Sequence, residues 1–126
     1  QRSAPPAGAV WFALEIAPVE AIEAGAAAED LGIVSTLADE TRVLEALTGR
    51  RGRPVCVYAD LRSSPDRGIV RFLETVSARA PGRARLVLGG ARAATRLSNS
   101  DRARRLADWE AAAAQAGLCA VHVLEG

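Results

Sequence analysis

The chain has 126 residues, of which 49% are hydrophobic and 25% are charged, and its formal net charge at pH 7 is +1. This length and composition fit one globular domain that needs no metal or disulfide to fold, and the balanced charge provides no field that would attract nucleic acid or an anionic membrane. All 16 basic residues are arginines, which excludes lysine-dependent mechanisms such as Schiff-base chemistry or a P-loop.

Residues 1–9 have the composition of a linker, with Pro5, Pro6 and Gly8 among them, and residues 10–126 are predicted to form a single domain. The chain lacks methionine, so we expect it to be part of a longer protein. No apolar run approaches the ~20 residues that a membrane-spanning helix needs, and no signal-peptide pattern is present. Any membrane attachment is therefore expected outside this sequence.

Two kinds of apolar segment alternate along the domain. Short runs rich in branched and aromatic residues are typical of strands covered on both faces, as in parallel sheets. They predict strands at residues 10–16, 31–35, 54–60, 85–88 and 120–124. Apolar residues at helical spacing, flanked by residues that start and stop helices, predict helices at residues 38–48, 65–80 and 100–116.

The helix after the third strand has a recognisable beginning. Ser64 is expected to be its N-cap, Pro65 its first residue and Asp66 an acid in its first turn. The strand centres and the inward stripes of the helices predict a core that contains Val57, Phe72, Leu73, Val87, Trp109 and Val121.

Strands that alternate with helices predict an α/β fold with a mainly parallel sheet, because right-handed crossovers place helices on both of its faces. The expected architecture is a three-layer sandwich, Rossmann-like or flavodoxin-like, with about five strands. The strand order 2-1-3-4-5 is favoured over 3-2-1-4-5.

In such sheets a ligand binds outside the carboxyl ends of the strands. The rule points to residues 60–67 and 89–92, and the candidate ligand-binding residues are Asp60, Ser64, Asp66, Arg67 and Arg71. Arg67 and Arg71 lie four residues apart on one helix and should repel each other unless an anion or a carboxylate lies between them. The alternative interpretation is structural: Asp66 and Arg67 hold the loop, and the corner is only a well-capped helix.

Other kinds of site have little support. His122 alternates with valines in a predicted strand, which indicates a buried structural imidazole. Cys56 and Cys119 lie at or beside predicted buried strands and are interpreted as inert core thiols. One histidine and two distant cysteines cannot complete a zinc site, and Gly89-Gly90 lacks the spacing of a dinucleotide motif, so no metal and no cofactor is predicted.

A basic cluster near the third predicted helix is the only nucleic-acid candidate. It has no interleaved aromatic residues, and Asp101 and Asp108 neutralise part of it, so a solvated helix face is favoured and no nucleic-acid partner is expected. The cluster consists of Arg92, Arg96, Arg102, Arg104 and Arg105.

Three short segments resemble a known family. They are Ser64-Pro65-Asp66-Arg67-Gly68 running into Arg71-Phe72-Leu73, the stretch Asp39–Leu44, and Arg105–Trp109. Together they resemble the soluble carboxy-terminal domain, of unknown function, of an uncharacterised bacterial membrane-protein family often encoded beside a GTPase-like protein. The resemblance implies a domain tethered at the cytoplasmic face of the bacterial inner membrane, with a GTPase-like protein as a partner, and it transfers no catalytic residue.

The favoured function is accordingly a non-catalytic interaction or regulatory domain of a membrane-associated bacterial protein. The alternative is a small enzyme or a binder of anions or nucleotide-type ligands at the crevice after the third strand, with Asp60 as its acid or base. A deep polar cleft would favour the alternative, and a flat apolar patch would favour the interaction domain.

Overall fold

The computed structural model describes residues 6, 8–14, 31–34, 47, 52–90 and 97–124 of the chain. The strands in these ranges are β1 (Val10–Leu14), β2 (Leu31–Val34), β3 (Val55–Asp60), β4 (Ala84–Gly89) and β5 (Ala120–Val123). The helices whose bounds lie within these ranges are α1 (Arg67–Arg79) and α2 (Asn99–Ala116). The predicted helix at 38–48 lies outside the described residues except for Leu47, which is helical and buried.

The strands form an open sheet in the order β2-β1-β3-β4-β5, and each of the four neighbouring pairs is parallel. The prediction of an α/β fold with a parallel sheet is confirmed, and the order is the one that the sequence favours. β3, β4 and β5 are mutually parallel, as expected from the helices between them.

Both helices pack on the same face of the sheet. The crossovers β3-α1-β4 and β4-α2-β5 step in the same direction along the sheet, so a right-handed connection places α1 and α2 side by side. Alternate strand residues and the inward stripes of the helices form the main core. Its largest fully buried members include Trp109, Leu73, Val57, Leu86 and Phe12.

The opposite face of the sheet is buried as well. A second cluster lies there, formed by Ala9, Trp11, Cys56, Tyr58 and Val87. Burial of the Cys56 thiol raises its pKa to about 12, so this sulfur stays protonated and unreactive at neutral pH. Burial on both sides explains why β3 is apolar at nearly every position rather than at every second one.

Most of the predicted core is confirmed. Val57, Phe72, Leu73, Val87 and Trp109 are buried. Val121 is only half-buried, because β5 is the outermost strand of the sheet and has a neighbouring strand on one side only.

The two cysteines differ. Cys56 is buried as predicted, but the prediction of a buried Cys119 is wrong, because this residue is exposed. It lies one position before β5, where its backbone N–H donates to the Ala84 carbonyl while its side chain is outside the core.

Candidate functional site

The crevice predicted from the topology lies at the carboxyl end of β3. The chain moves outward from β1 to β2 in one direction and from β3 to β4 in the other, so the strand order reverses between β1 and β3. Residues 61–66 connect β3 to α1 at this point and include two of the predicted site residues, Ser64 and Asp66.

Asp60, the last residue of β3, is held by Arg62. Nε of Arg62 donates to Oδ1 at 2.9 Å, Nη2 donates to Oδ2 at 2.6 Å, and the backbone N–H of Arg62 donates to Oδ1 at 2.8 Å. The Asp60 side chain is 8% exposed, whereas that of Arg62 is 50% exposed. The carboxylate is therefore bound in a bidentate pair with its own loop.

Two glycines of β4 and the following turn make room for this arrangement. A Cβ on Gly89 would overlap the Tyr58 hydroxyl oxygen, and one on Gly90 would lie 2.7 Å from Oδ1 of Asp60. Gly90 also has a φ of +75°, a conformation that side chains disfavour. The Gly89-Gly90 pair thus serves close packing against β3 side chains.

The Arg62 side chain, through its hydrogen bonds, lowers the pKa of Asp60, although burial of the carboxyl acts in the opposite direction. Asp60 is consequently ionised at neutral pH, with both oxygens engaged by Arg62. A carboxylate in this state is a poor general acid, and its lowered pKa and occupied oxygens also make it a weak general base, which argues against the acid/base role considered for Asp60.

The pair makes a pH-dependent contribution to stability. A carboxyl group whose pKa is lower in the folded than in the unfolded state stabilises the fold above the unfolded pKa of about 4 and loses this effect as the pH falls through the lowered value. We expect Asp60→Asn to lower the free energy of unfolding at pH 7 by about 1–3 kcal/mol, between the values for exposed and fully buried pairs, because Arg62 is half in water.

The measurement is urea denaturation of wild type and Asp60→Asn from pH 7 downward. The difference should shrink steadily once the pH is below about 4. A difference that stays constant over the whole range would show that the carboxylate charge contributes nothing to the fold.

The amino end of α1 differs from the prediction. Asp66, not Ser64, is the N-cap, and its Oδ1 accepts a hydrogen bond of 2.8 Å from the Ile69 N–H. Pro65 therefore precedes the helix, which begins at Arg67. The side chain of Asp66 already occupies an amide that an external anion would need.

Ser63 and Ser64 are instead attached to α2. The Trp109 Nε1–H donates to the Ser63 carbonyl at 2.8 Å, and Nη1 of Arg105 donates to the Ser64 Oγ. The sequence places Arg105 in a basic cluster predicted to be solvated and Trp109 only in the predicted core, so neither of these contacts was predicted. Arg92 and Arg96 of that cluster lie outside the described residues.

The five predicted site residues are divided between two places. Asp60 alternates along β3 with Cys56 and Tyr58 and so lies on the side of the sheet opposite the helices. Ser64, Asp66, Arg67 and Arg71 lie on the helix side. Arg62, which pairs with Asp60, was not predicted as a site residue. An arginine two residues after a carboxylate at the end of a strand is nevertheless a pattern that indicates such an ion pair.

Arg67 and Arg71 are both exposed on α1. Beside them an open groove of about 230 Å³ runs between the start of α1 and the outer side of α2. Its lining mixes small apolar and polar side chains: Ser64, Pro65, Val70, Asp108, Ala111, Ala112 and Gln115.

The described ranges contain neither a metal-binding cluster nor a helix able to span a membrane. There, no group of three or more His, Cys, Asp or Glu side chains is arranged to hold a metal ion. Neither α1 nor α2 has the length and hydropathy that crossing a bilayer requires.

No curated protein and no solved structure matches the chain. One family model does match, over residues 1–118, and its description is "Protein of unknown function (DUF2868)". Because the match covers most of the sequence, the chain belongs to the DUF2868 family of proteins of unknown function.

Proposed function

We propose that this domain is a non-catalytic interaction module of a membrane-associated bacterial protein, and that it binds an acidic segment of a partner protein through the exposed side of α1 and the adjacent groove. The resemblance noted in the sequence adds two further parts to the proposal. The partner is a GTPase-like protein, and the domain works at the cytoplasmic face of the inner membrane.

The observation that carries the proposal is the internal use of the polar groups at the end of β3. Asp60 is bound by Arg62, the Ile69 amide by Asp66 and the Ser64 hydroxyl by Arg105. These groups would have to break existing hydrogen bonds to hold a small ligand, and this loss works against tight binding.

The surface beside them has the character of a protein-binding site. Arg67 and Arg71 are exposed one helical turn apart, with Val70 between them at the edge of the groove. The groove is open and mixed in polarity, whereas small-molecule sites are concave and enclose most of their ligand. An acidic segment laid along α1 would relieve the repulsion between the two arginines.

The three-layer sandwich remains part of the proposal. Both faces of the sheet are buried, and the step from β1 to β2 runs opposite to the step from β3 to β4. A right-handed connection between β1 and β2 would therefore run over the face opposite α1 and α2.

The test is isothermal titration calorimetry, in which the GTPase-like protein expected to be encoded beside this protein's gene is titrated into this domain. The variant is Arg67→Glu/Arg71→Glu, and the matched control is Arg79→Glu, an exposed arginine in the last turn of the same helix. Loss of two charge-assisted contacts should weaken binding by about tenfold or more, whereas the control should bind like wild type.

Absence of binding by the wild-type domain would contradict the proposal that the partner is a GTPase-like protein. Binding that is equally strong in all three proteins would locate the interface elsewhere on the domain.

The second candidate function is the binding of an anion or a nucleotide-type ligand at the same corner. It is favoured by the positions of two arginines, because Arg67 follows the Ser64–Asp66 loop directly as the first residue of α1, and Arg105 donates to the Ser64 Oγ. A ligand at one hundred times its dissociation constant stabilises a fold by about 2.7 kcal/mol, so phosphate, nucleotides and acidic peptides should raise the Tm of wild type more than that of Arg67→Ala. If no compound raises the wild-type Tm and Arg67→Ala is equally affected in every condition, the corner has no small ligand.

A further inference from the structure

The groove between α1 and α2 is smaller than a typical small-molecule site. Its volume is about 230 Å³, whereas pockets that enclose small ligands have volumes of roughly 300–1,000 Å³. Such pockets also bury most of the ligand surface, and this groove is open to solvent. A space of this size suits one large side chain of a segment that continues across the surface on either side.

Apolar groups form the floor of the groove. Ala112 of α2 is buried, and Pro65 before α1 and Val70 in its first turn are half-buried. Ala111, which is also part of the lining, is exposed. The two alanine side chains end at Cβ, so they leave the space between the helices unfilled. An apolar side chain placed there would be stabilised, because its surface and that of the floor would both be removed from water.

Polar groups line the rest of the groove. They belong to Ser64 in the loop before α1 and to Asp108 and Gln115 on α2. Within the described part of the chain, the side chains of Asp108 and Gln115 form no hydrogen bond or ion pair, so a bound segment has no internal contact of theirs to displace. An apolar centre inside a polar rim is typical of interface positions where one anchor residue contributes much of the binding energy.

Two positive charges adjoin this space. Arg67 precedes Val70 on α1 and Arg71 follows it, both are exposed, and neither guanidinium group has an ion pair or a hydrogen-bond acceptor among the described residues. Carboxylates of a bound segment would relieve the repulsion between the two arginines. Because Val70 lines the groove between them in the sequence, a side chain that enters the groove lies close to these carboxylates in the partner segment.

We propose that the groove holds one large apolar side chain, such as that of leucine, from an acidic segment whose carboxylates pair with Arg67 and Arg71. This inference rests on the proposed function, because it specifies what the partner segment places in the groove. Ala111 and Ala112 are then the residues that determine specificity: they admit a bulky anchor, and a large residue at Ala111 would exclude it.

The first test uses two short peptides and needs no variant of the domain. One peptide has a leucine between two glutamates that are one helical turn apart, and in the other peptide alanine replaces the leucine. Each is titrated into the ¹⁵N-labelled domain at constant ionic strength. The amide signals of Val70, Ala111 and Ala112 should shift and saturate with the leucine peptide, which should bind about tenfold or more tightly than the alanine peptide because more apolar surface is buried. Unchanged signals at these residues, or equal affinities of the two peptides, would overturn the inference.

The second test is calorimetric titration of the GTPase-like protein. Ala111→Trp fills the groove from an exposed position and should weaken binding by about tenfold or more. The matched control is Ala103→Trp, also exposed and about two turns earlier on α2, which should bind like wild type. Both variants should keep a Tm close to that of wild type, because both positions are on the surface.

The inference and the proposed function fail in different ways. If Ala111→Trp binds the GTPase-like protein like wild type while Arg67→Glu/Arg71→Glu binds weakly, the partner uses the arginines without entering the groove, and the inference is wrong. If the wild-type domain does not bind the GTPase-like protein at all, the proposed partner is wrong, and the peptide titration alone decides whether the groove accepts an apolar anchor.

Discussion

Replacement of Trp109 by alanine is expected to lower the free energy of unfolding by about 3–5 kcal/mol, the range for removal of a buried aromatic side chain. Trp109 is fully buried between α2 and the sheet. Its Nε1–H also donates to the Ser63 carbonyl, so the same side chain fills the core and holds the loop after β3. The measurement is equilibrium denaturation in guanidinium chloride, with one slope of the free energy of unfolding against denaturant concentration used for all variants.

Two companion variants separate these roles. Trp109→Phe keeps most of the packing but removes the donor, and should cost less than Trp109→Ala. Glu110→Ala, at an exposed neighbouring position on α2, should change stability by no more than about 0.5 kcal/mol. If Trp109→Ala costs less than about 1 kcal/mol, the packing of α2 on the sheet is not as described.

The path of the chain through β3, α1, β4 and α2 was predictable because the strands and the carboxyl ends of both helices carry local signals. Pro81-Gly82 follows α1 closely, and Gly117 ends α2 with a φ of +84°. The apolar run of β3 indicated burial on both faces, and the parallel sheet followed from that property. These features depend on residues near one another in the sequence.

The same property hid the arrangement of the site. In a strand buried on one face, the alternation of apolar and polar residues indicates the face on which each side chain lies. β3 is apolar on both faces, so its sequence does not indicate that Asp60 lies on the face opposite the helices. The five candidate residues were therefore predicted to form one site, although the structure places Asp60 on the opposite side of the sheet from the other four.

The identity of the N-cap depended on distant contacts. Ser64 and Asp66 both belong to the residue types that cap helices, and the preference for proline at the first helical position favoured Ser64. Arg105 and Trp109, more than 40 residues away in the chain, bind the Ser63-Ser64 segment to α2. Asp66 then caps the helix, a result that local sequence rules cannot reveal.

Phe72→Ala is expected to lower the free energy of unfolding by about 3–5 kcal/mol, because the ring is part of the main core on the inward side of α1. Arg71→Ala, at the adjacent exposed position, should change stability by about 0.5 kcal/mol or less in the same denaturation experiment. The comparison also bears on function, since the rotation of α1 that buries Phe72 is the rotation that exposes Arg67 and Arg71. A loss below about 1 kcal/mol for Phe72→Ala would mean that α1 is turned differently, and the two arginines would then not form the binding surface proposed for the acidic partner.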